Sequence, residues 1–408
     1  MKVLYVVGSC LTKNTSANMS HNAYVQGLLE NGCRVDILMA EDSWGEQDNA
    51  LPVWAQAAYY RFPSVSRQDR LRNKFKKIGS IAVPGQTSPA AQSQDSNNTA
   101  TRKTSVRKIA KQLFYTLFPM DPIYPLNSFW LKKAAKFHSD TEYDLVVSNS
   151  SPAASHKLVG ILLKKQQLKC KRWVQIWEDP WYFDLYGGHS EAIRQEEHAL
   201  LREATEIYYV SPLTLKYQQQ HFADCAHKMK HIPLPYFDFA KTDILPTGEW
   251  SFGYFGDYYS QTRNLVPFYE ALVRSSHRGY IYGDSNVPLK STEKVEISGR
   301  VTLDVLDKVQ AKTKVLVHLC NLRGGQIPGK IYHYSATAKP ILFILDGTPE
   351  EQIILKSYFS QFDRFYFCEN NLAAIGKAID AICADNRAWA RLDAFSPKEV
   401  VRQLLTEQ

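Results

Sequence analysis

Residues Val315 to Leu345 read VLVHLCNLRGGQIPGKIYHYSATAKPILFIL, and the three parts of this stretch decide the fold. VLVHL and ILFIL are short continuous apolar runs of the kind that form buried strands. Between them, Gly324-Gly325 and Pro328 break any regular structure, and apolar residues then return at helical spacing over Gly329 to Thr337. Strand, helix and strand in about thirty residues make a parallel βαβ unit.

The same alternation extends in both directions. Upstream in the second half, strands are expected at Ser251 to Phe255 and Tyr280 to Tyr282, with helices at Leu265 to Arg274 and Leu303 to Ala311. Downstream come a strand at Phe365 to Cys368 and a helix at Asn371 to Ala384. In the first half, strands are expected at Val3 to Val7, Val35 to Met39, Tyr143 to Ser148, Trp173 to Trp177 and Ile207 to Val210, with a helix from Asn18 to Asn31. Gly32 stops that helix. A chain of 408 residues exceeds one ordinary core. The Pro-rich stretch from Pro233 to Trp250 divides it. The expected fold class is therefore α/β, with two doubly wound Rossmann-like domains facing across a cleft. The domains are expected at 1–235 and 251–385, joined by a linker at 236–250. A closing helix within 386–408 starts at Ser396-Pro397 and is expected to pack back toward the first domain.

Charge is concentrated in one place. Twelve basic and two acidic residues lie between Arg61 and Lys111, while the other 37 basic and 39 acidic residues nearly cancel. The chain as a whole is thus no nucleic-acid binder by charge. Residues 79–106 are rich in Ser, Gln, Thr and Asn, with few large apolar side chains, and read as a mobile insert. Its flanks, RLRNKFKK and RKIAKQLFYTLF, interleave basic and apolar residues. One reading of 61–118 is a solvated helix packed on its own domain; the other is a patch for an anionic membrane surface. The five-residue apolar run of MKVLYVVGSC is no signal peptide, and no stretch is apolar over the roughly 20 residues that a membrane helix needs. Seven scattered cysteines, none in CxxC, point to a reducing cytoplasm.

Ligands of doubly wound sheets bind beyond the carboxyl ends of the strands, so the candidate site lies in the interdomain cleft. Lys330 puts a full charge at the start of the helix that follows Gln326 and Gly329, a seat for a diphosphate. On a helix, Lys330, His333 and Thr337 share one face. Spacing alone equally admits a solvated Lys330 and a packing His333. Asp179 follows a buried strand on the cleft side, where a carboxylate can hold hydroxyls or accept a proton; its other reading is a helix cap before Pro180. Strand alternation should turn Glu178 away. His221, Cys225, His227 and His231 imitate metal spacing, but no second paired motif exists and lysines abound, so no metal site is expected there. No P-loop, GxGxxG or Ser-His-Asp order is visible, which disfavours NTPase, dehydrogenase and hydrolase chemistry.

The segment Lys330-Ile331-Tyr332-His333-Tyr334-Ser335-Ala336-Thr337-Ala338-Lys339-Pro340 resembles the donor-binding helix of glycosyltransferase family 4, of the GT-B type. His333 stands where that family carries a ribose-binding carboxylate. FGYFGDYYSQTRN resembles the family's first donor-domain turn, with Gly256 near the sugar and phosphates and Arg263 as a phosphate cation. VEISGRVTLDVL resembles the strand-turn that holds the base, through Arg300 and Val301. Tyr143-Asp144, Ser148 to Pro152 and Glu178-Asp179-Pro180-Trp181 resemble a bacterial branch that builds surface polysaccharides. The resemblance implies a donor-side second domain and an acceptor-side first domain. It also implies transfer from a nucleotide-sugar, UDP-linked before GDP-linked, to a glycan or lipid-linked acceptor. Retention of configuration and no cofactor or obligatory metal complete the expectation. Asp179 and Lys330 would be catalytic, and Gly256, Arg263, Arg300, Val301, Gln326, Gly329 and His333 would bind the donor. A sugar-nucleotide epimerase and a non-catalytic nucleotide-sugar binding module are the alternatives. The expected location is cytoplasmic, peripheral on the inner membrane face.

The charge asymmetry generates a test. Each Lys or Arg near anionic lipid contributes roughly 1 kcal/mol, screened by salt. Flotation should show salt-sensitive binding to anionic vesicles and little to neutral ones. Equal binding to both at low salt would remove the membrane reading of 61–118.

Overall fold

The computed structural model describes residues 1–13, 15–41, 51–66, 121–185, 190–237 and 248–406. The expected insert at 79–106, most of its basic flanks and residues 238–247 of the expected linker lie outside the described residues.

The first sheet has seven parallel strands in the order β3-β2-β1-β4-β5-β6-β7. They are β1 (Lys2–Val7), β2 (Arg34–Glu41), β3 (Ala58–Pro63), β4 (Glu142–Ser150), β5 (Lys169–Trp177), β6 (Glu206–Tyr209) and β7 (Met229–His231). Helices α1 (Ser16–Glu30), α2 (Ser128–Ala134), α3 (Ala154–Lys164), α4 (Glu191–Glu203) and α5 (Pro212–His221) alternate with them. The second sheet has six parallel strands in the order β10-β9-β8-β11-β12-β13. These are β8 (Ser251–Phe255), β9 (Arg278–Tyr282), β10 (Val295–Ser298), β11 (Val315–Leu319), β12 (Ile341–Leu345) and β13 (Phe365–Glu369). With them run α6 (Val266–Arg274), α7 (Leu303–Lys312), α8 (Lys330–Ser335), α9 (Pro349–Ser360), α10 (Leu372–Ala384) and α11 (Pro397–Leu405). This is a two-domain Rossmann-like α/β fold, and each sheet reverses its winding beside its first strand, at β1/β4 and β8/β11.

The local causes are legible. Every residue of β8, β11 and β12 is buried, as befits parallel strands covered on both faces. Thr15 caps α1 by accepting from the Asn18 N–H, and Thr348 and Glu351 close a reciprocal capping box at α9. Helix α8 is shorter than the expected Gly329 to Thr337. The Thr337 Oγ1 donates to the Tyr334 carbonyl at 2.8 Å and the backbone tightens there into i→i+3 bonds, which end the helix at Ser335. Thr337 therefore does not share a helical face with Lys330.

Helix α11 returns to the first domain and packs on α1. Its Val400, Val401 and Leu404 are buried, each contributing about 1.5–3 kcal/mol. The contact closes around Gly27, where a Cβ would come within 2.1 Å of the Pro397 carbonyl oxygen, and Asn31 Nδ2 donates to the Lys398 carbonyl at 2.8 Å. Helix propensity alone favours alanine over glycine by about 1 kcal/mol. The backbone clash should reverse that sign, so Gly27→Ala is expected to lower the melting temperature by a loss of roughly 1–3 kcal/mol. A raised melting temperature would mean that α11 does not pack on α1 in solution.

Candidate active site

A cavity of about 510 Å³ opens beyond the carboxyl ends of β8, β9 and β11. Gly256, Arg263, Arg300, Val301, Gly329 and Lys330 line it, together with Asp257. Ser16 also lines it, so the N-terminal end of α1 in the first domain completes the wall. That end carries unpaired N–H groups and a positive dipole. The loop leading to α1 is held by buried amides: Asn18 Nδ2 donates to the carbonyls of Cys10 and Lys13, and Asn22 Nδ2 to that of Leu11.

The floor is set by two glycines. Gly283, at φ +155°, has no room for a side chain, since a Cβ would meet the Gly256 carbonyl oxygen at 2.0 Å. Gly256 N–H in turn donates to the Tyr282 carbonyl at 2.9 Å. Above this floor, Arg263 is fixed by Nε to Asn321 Oδ1 at 2.9 Å and by Nη1 to the Asp257 carbonyl at 2.7 Å. Arg300 pairs with the Asp257 carboxylate and lies 3.4 Å from Asp284 Oδ2. Burial works to raise the Asp257 carboxyl, but Arg300, the Asp284 N–H and Lys330 together hold it below the usual range. The Lys330 ammonium makes no hydrogen bond or ion pair among the described residues. Burial first, then Arg263 and Arg300, outweigh Asp257 and bring its ammonium down to about 8. Three cations face one lining carboxylate, so the charge of the cavity favours an anion.

Asp179, Gln326 and His333 do not line this cavity. Asp179 and Gln326 meet each other at the domain junction. Gln326 Nε2 donates to Asp179 Oδ1 at 2.6 Å and Asp184 Oδ1 at 3.2 Å, while its Oε1 accepts from the Leu185 N–H at 3.1 Å. Asp179 presents surface to the solvent of the junction although protein crowds around it; that crowding raises its carboxyl, the Gln326 amide opposes the rise, and the Asp184 charge adds to it. His333 is half-buried on α8. The glycine pair before them serves close approach: a Cβ on Gly325 would lie 2.8 Å from the Thr214 backbone nitrogen, and one on Gly324 would meet Leu185 at 2.7 Å. Thr214 Oγ1 donates to the Gly325 carbonyl at 2.9 Å.

Two of the four residues with metal-like spacing pack on aromatic rings. His221 stacks on Phe183 at 3.7 Å, and His231 meets Tyr358 edge-on. Among the described residues, the convergent group is His198, Asp224 and Cys225, where Asp224 is bonded by His198 and Arg202. Sequence reasoning missed Asp257, Ser16 and Gly283 in the lining. Asp257 had a signal, its position directly after Gly256; the others needed the fold.

Solved structures share this architecture along the whole chain. A sucrose-phosphate synthase from Thermosynechococcus elongatus is 13% identical, covers 100% of this chain and 95% of its own, and superposes with a TM-score of 0.52. A trehalose-6-phosphate protein from E. coli, bound with UDP-2-fluoro glucose, is 9% identical over 99% and 95%, with a TM-score of 0.51. A glycosyltransferase involved in avilamycin A biosynthesis is 13% identical over 99% and 96%, with a TM-score of 0.50. At these identities the likeness establishes the GT-B-type fold. No family model matches the chain, and no curated protein matches its sequence.

The position of Lys330 sets a pH dependence. Its pKa in the free protein is about 8, and a bound diphosphate would raise it, so affinity is highest below that pH and falls as pH rises through and beyond it. Calorimetry with UDP should show this decline in the wild type. Lys330→Arg, which stays charged, should remove it; an unchanged decline in that variant would assign the titration elsewhere.

Proposed function

We propose that the chain is a glycosyltransferase, family 4-like, that moves a sugar with retention from a nucleotide-sugar to a glycan or lipid-linked acceptor in surface polysaccharide synthesis. The observation that carries this reading is the gathering of Lys330, Arg263 and Arg300 in the second domain's cavity, closed by the N-terminal end of α1 from the first. Such a site suits the diphosphate of a donor, with Arg300 and Val301 on the side of the base and Gly256 beneath the sugar.

In this mechanism the bond from the sugar's anomeric carbon to the diphosphate breaks as negative charge grows on the leaving group. Lys330 and Arg263 face that charge at fixed positions, which favours the transition state over the bound donor. Domain contact through the Gly324-Gly325 turn excludes water and aligns an acceptor hydroxyl beside Asp179; its oxygen bonds the anomeric carbon as the diphosphate leaves, and its proton passes to Asp179. Side chains supply the positive charge, and the proposal includes no cofactor or obligatory metal. UDP-sugars come first in a donor screen because the E. coli structure of the same fold holds one. Location at the inner membrane face, through the basic residues of 61–118, belongs to the same proposal.

Incubation with UDP- and GDP-sugars, read by mass spectrometry, tests the reaction class. Nucleotide release that requires a glycan acceptor supports the transferase; interconversion of sugars without acceptor would indicate an epimerase, and binding alone a binding module. Lys330→Ala should then lower kcat/KM by roughly 10- to 1000-fold in a folded protein. An unchanged kcat/KM would remove Lys330 from the mechanism.

A further inference from the structure

A buried polar cluster lies one to two turns along α1 from Ser16, where β1, β4 and β5 end. Asn149 Nδ2 donates to the Tyr5 hydroxyl at 2.9 Å, and that hydroxyl lies 3.1 Å from His21 Nδ1. His21 Nε2 lies 3.4 Å from the Ser151 carbonyl, which can only accept. The proton of the imidazole therefore sits on Nε2, leaving Nδ1 a lone pair that accepts from Tyr5. Burial holds His21 neutral, at about 4.

Glu178 Oε1 approaches that same Nδ1 at 3.7 Å. The side chain is only 10% exposed, and Oε1 is buried with no hydrogen-bond partner among the described residues. Asn149 Oδ1 and the Tyr24 hydroxyl are likewise buried without a partner among the described residues. Such orphans are rare and costly, and a polar group of a ligand would satisfy Glu178. The cluster adjoins the other domain, because Tyr24 of α1 and Tyr332 of α8 belong to one buried core.

We propose that Glu178 contacts substrate, donating a hydrogen bond from its carboxylic acid to a sugar hydroxyl in the cleft. This deepens the glycosyltransferase reading and rests on it. The groups facing Glu178 explain its protonation: Tyr5 of β1, neutral His21 and Tyr24 of α1, Asn149 of β4, and the adjoining Asp179. None is a cation. Burial first, and the Asp179 charge second, push the Glu178 carboxyl well above the usual range. Asp179, open to the junction and held by Gln326, remains the acceptor of protons. Two neighbouring carboxyls thus take opposite roles because their surroundings differ. The Tyr5–His21–Asn149 chain lies beside Glu178 and makes no contact with sugar itself.

The test compares wild type, Glu178→Gln and Glu178→Ala, each first shown folded by its melting curve. Glu178→Gln keeps an N–H donor and should hold sugar KM within about threefold, whereas Glu178→Ala should raise it about tenfold. Both should bind UDP or GDP as the wild type does. A raised KM for the nucleotide-sugar assigns the hydroxyl to the donor; a raised KM for the acceptor assigns it there. Infrared difference spectra between wild type and Glu178→Gln at neutral pH should show a protonated carboxyl. An ionised carboxylate, a Gln variant as impaired as the Ala variant, or an Ala variant with unchanged kinetics would each overturn the inference while leaving the transferase intact. Wild type that binds neither UDP nor GDP would overturn both.

Discussion

The cleft depends on one close approach of backbones, Gly325 against the first turn of α5. The Gly325 carbonyl accepts from both Ser211 and Thr214, and the Thr214 nitrogen lies too near for any side chain on residue 325. This contact fixes the β11–α8 connection against the first domain. Lys330 follows five residues later, so its place relative to α1 and Asp179 is set by that junction. Glu351 reinforces it: buried, it accepts from the Gly324 N–H, the Thr348 N–H and the Tyr217 hydroxyl, joining a helix cap to the domain contact. Replacing these small residues with larger ones would separate the cations from the first domain before it disturbed either sheet.

The electrostatics follow from that geometry. The second domain brings three cations and Asp257, the first brings Asp179 and Asp184, and Gln326 reaches the latter two without charge of its own. An amide suits the position because it can donate to Asp179 and accept from the Leu185 N–H at once. A lysine there would neutralise Asp179, and a glutamate would repel it. Asp257 tempers the cation cluster in the absence of an anion, which limits the mutual repulsion of Lys330, Arg263 and Arg300.

The sequence showed the sheets well because parallel strands are apolar throughout: VLVHL and ILFIL admit little else. It showed poorly what lies at edges. Ala58–Pro63 has exposed and half-buried residues in no strict alternation and none buried, and Met229–His231 is three residues long, so neither gives a periodic signal. Residues that line the cavity from the second domain were readable because they sit on strand-turn motifs. The roles of Gln326 and the glycine pair were not, since a domain contact leaves no local pattern. Glu178 shows the limit most clearly. Alternation along β5 turns it from the cleft, but the strand ends at Trp177, and the chain leaves the pleat before Glu178 is placed.

The account stands on the claim that the second domain's cavity holds a nucleoside diphosphate between its own cations and the first domain. A crystal structure of the chain with UDP, or with GDP if UDP does not bind, tests this directly. The account predicts diphosphate oxygens within hydrogen-bonding distance of Lys330 Nζ and the Arg263 guanidinium, beside the first turn of α1. A nucleotide bound elsewhere, or bound here with its diphosphate turned away from both side chains, would contradict it.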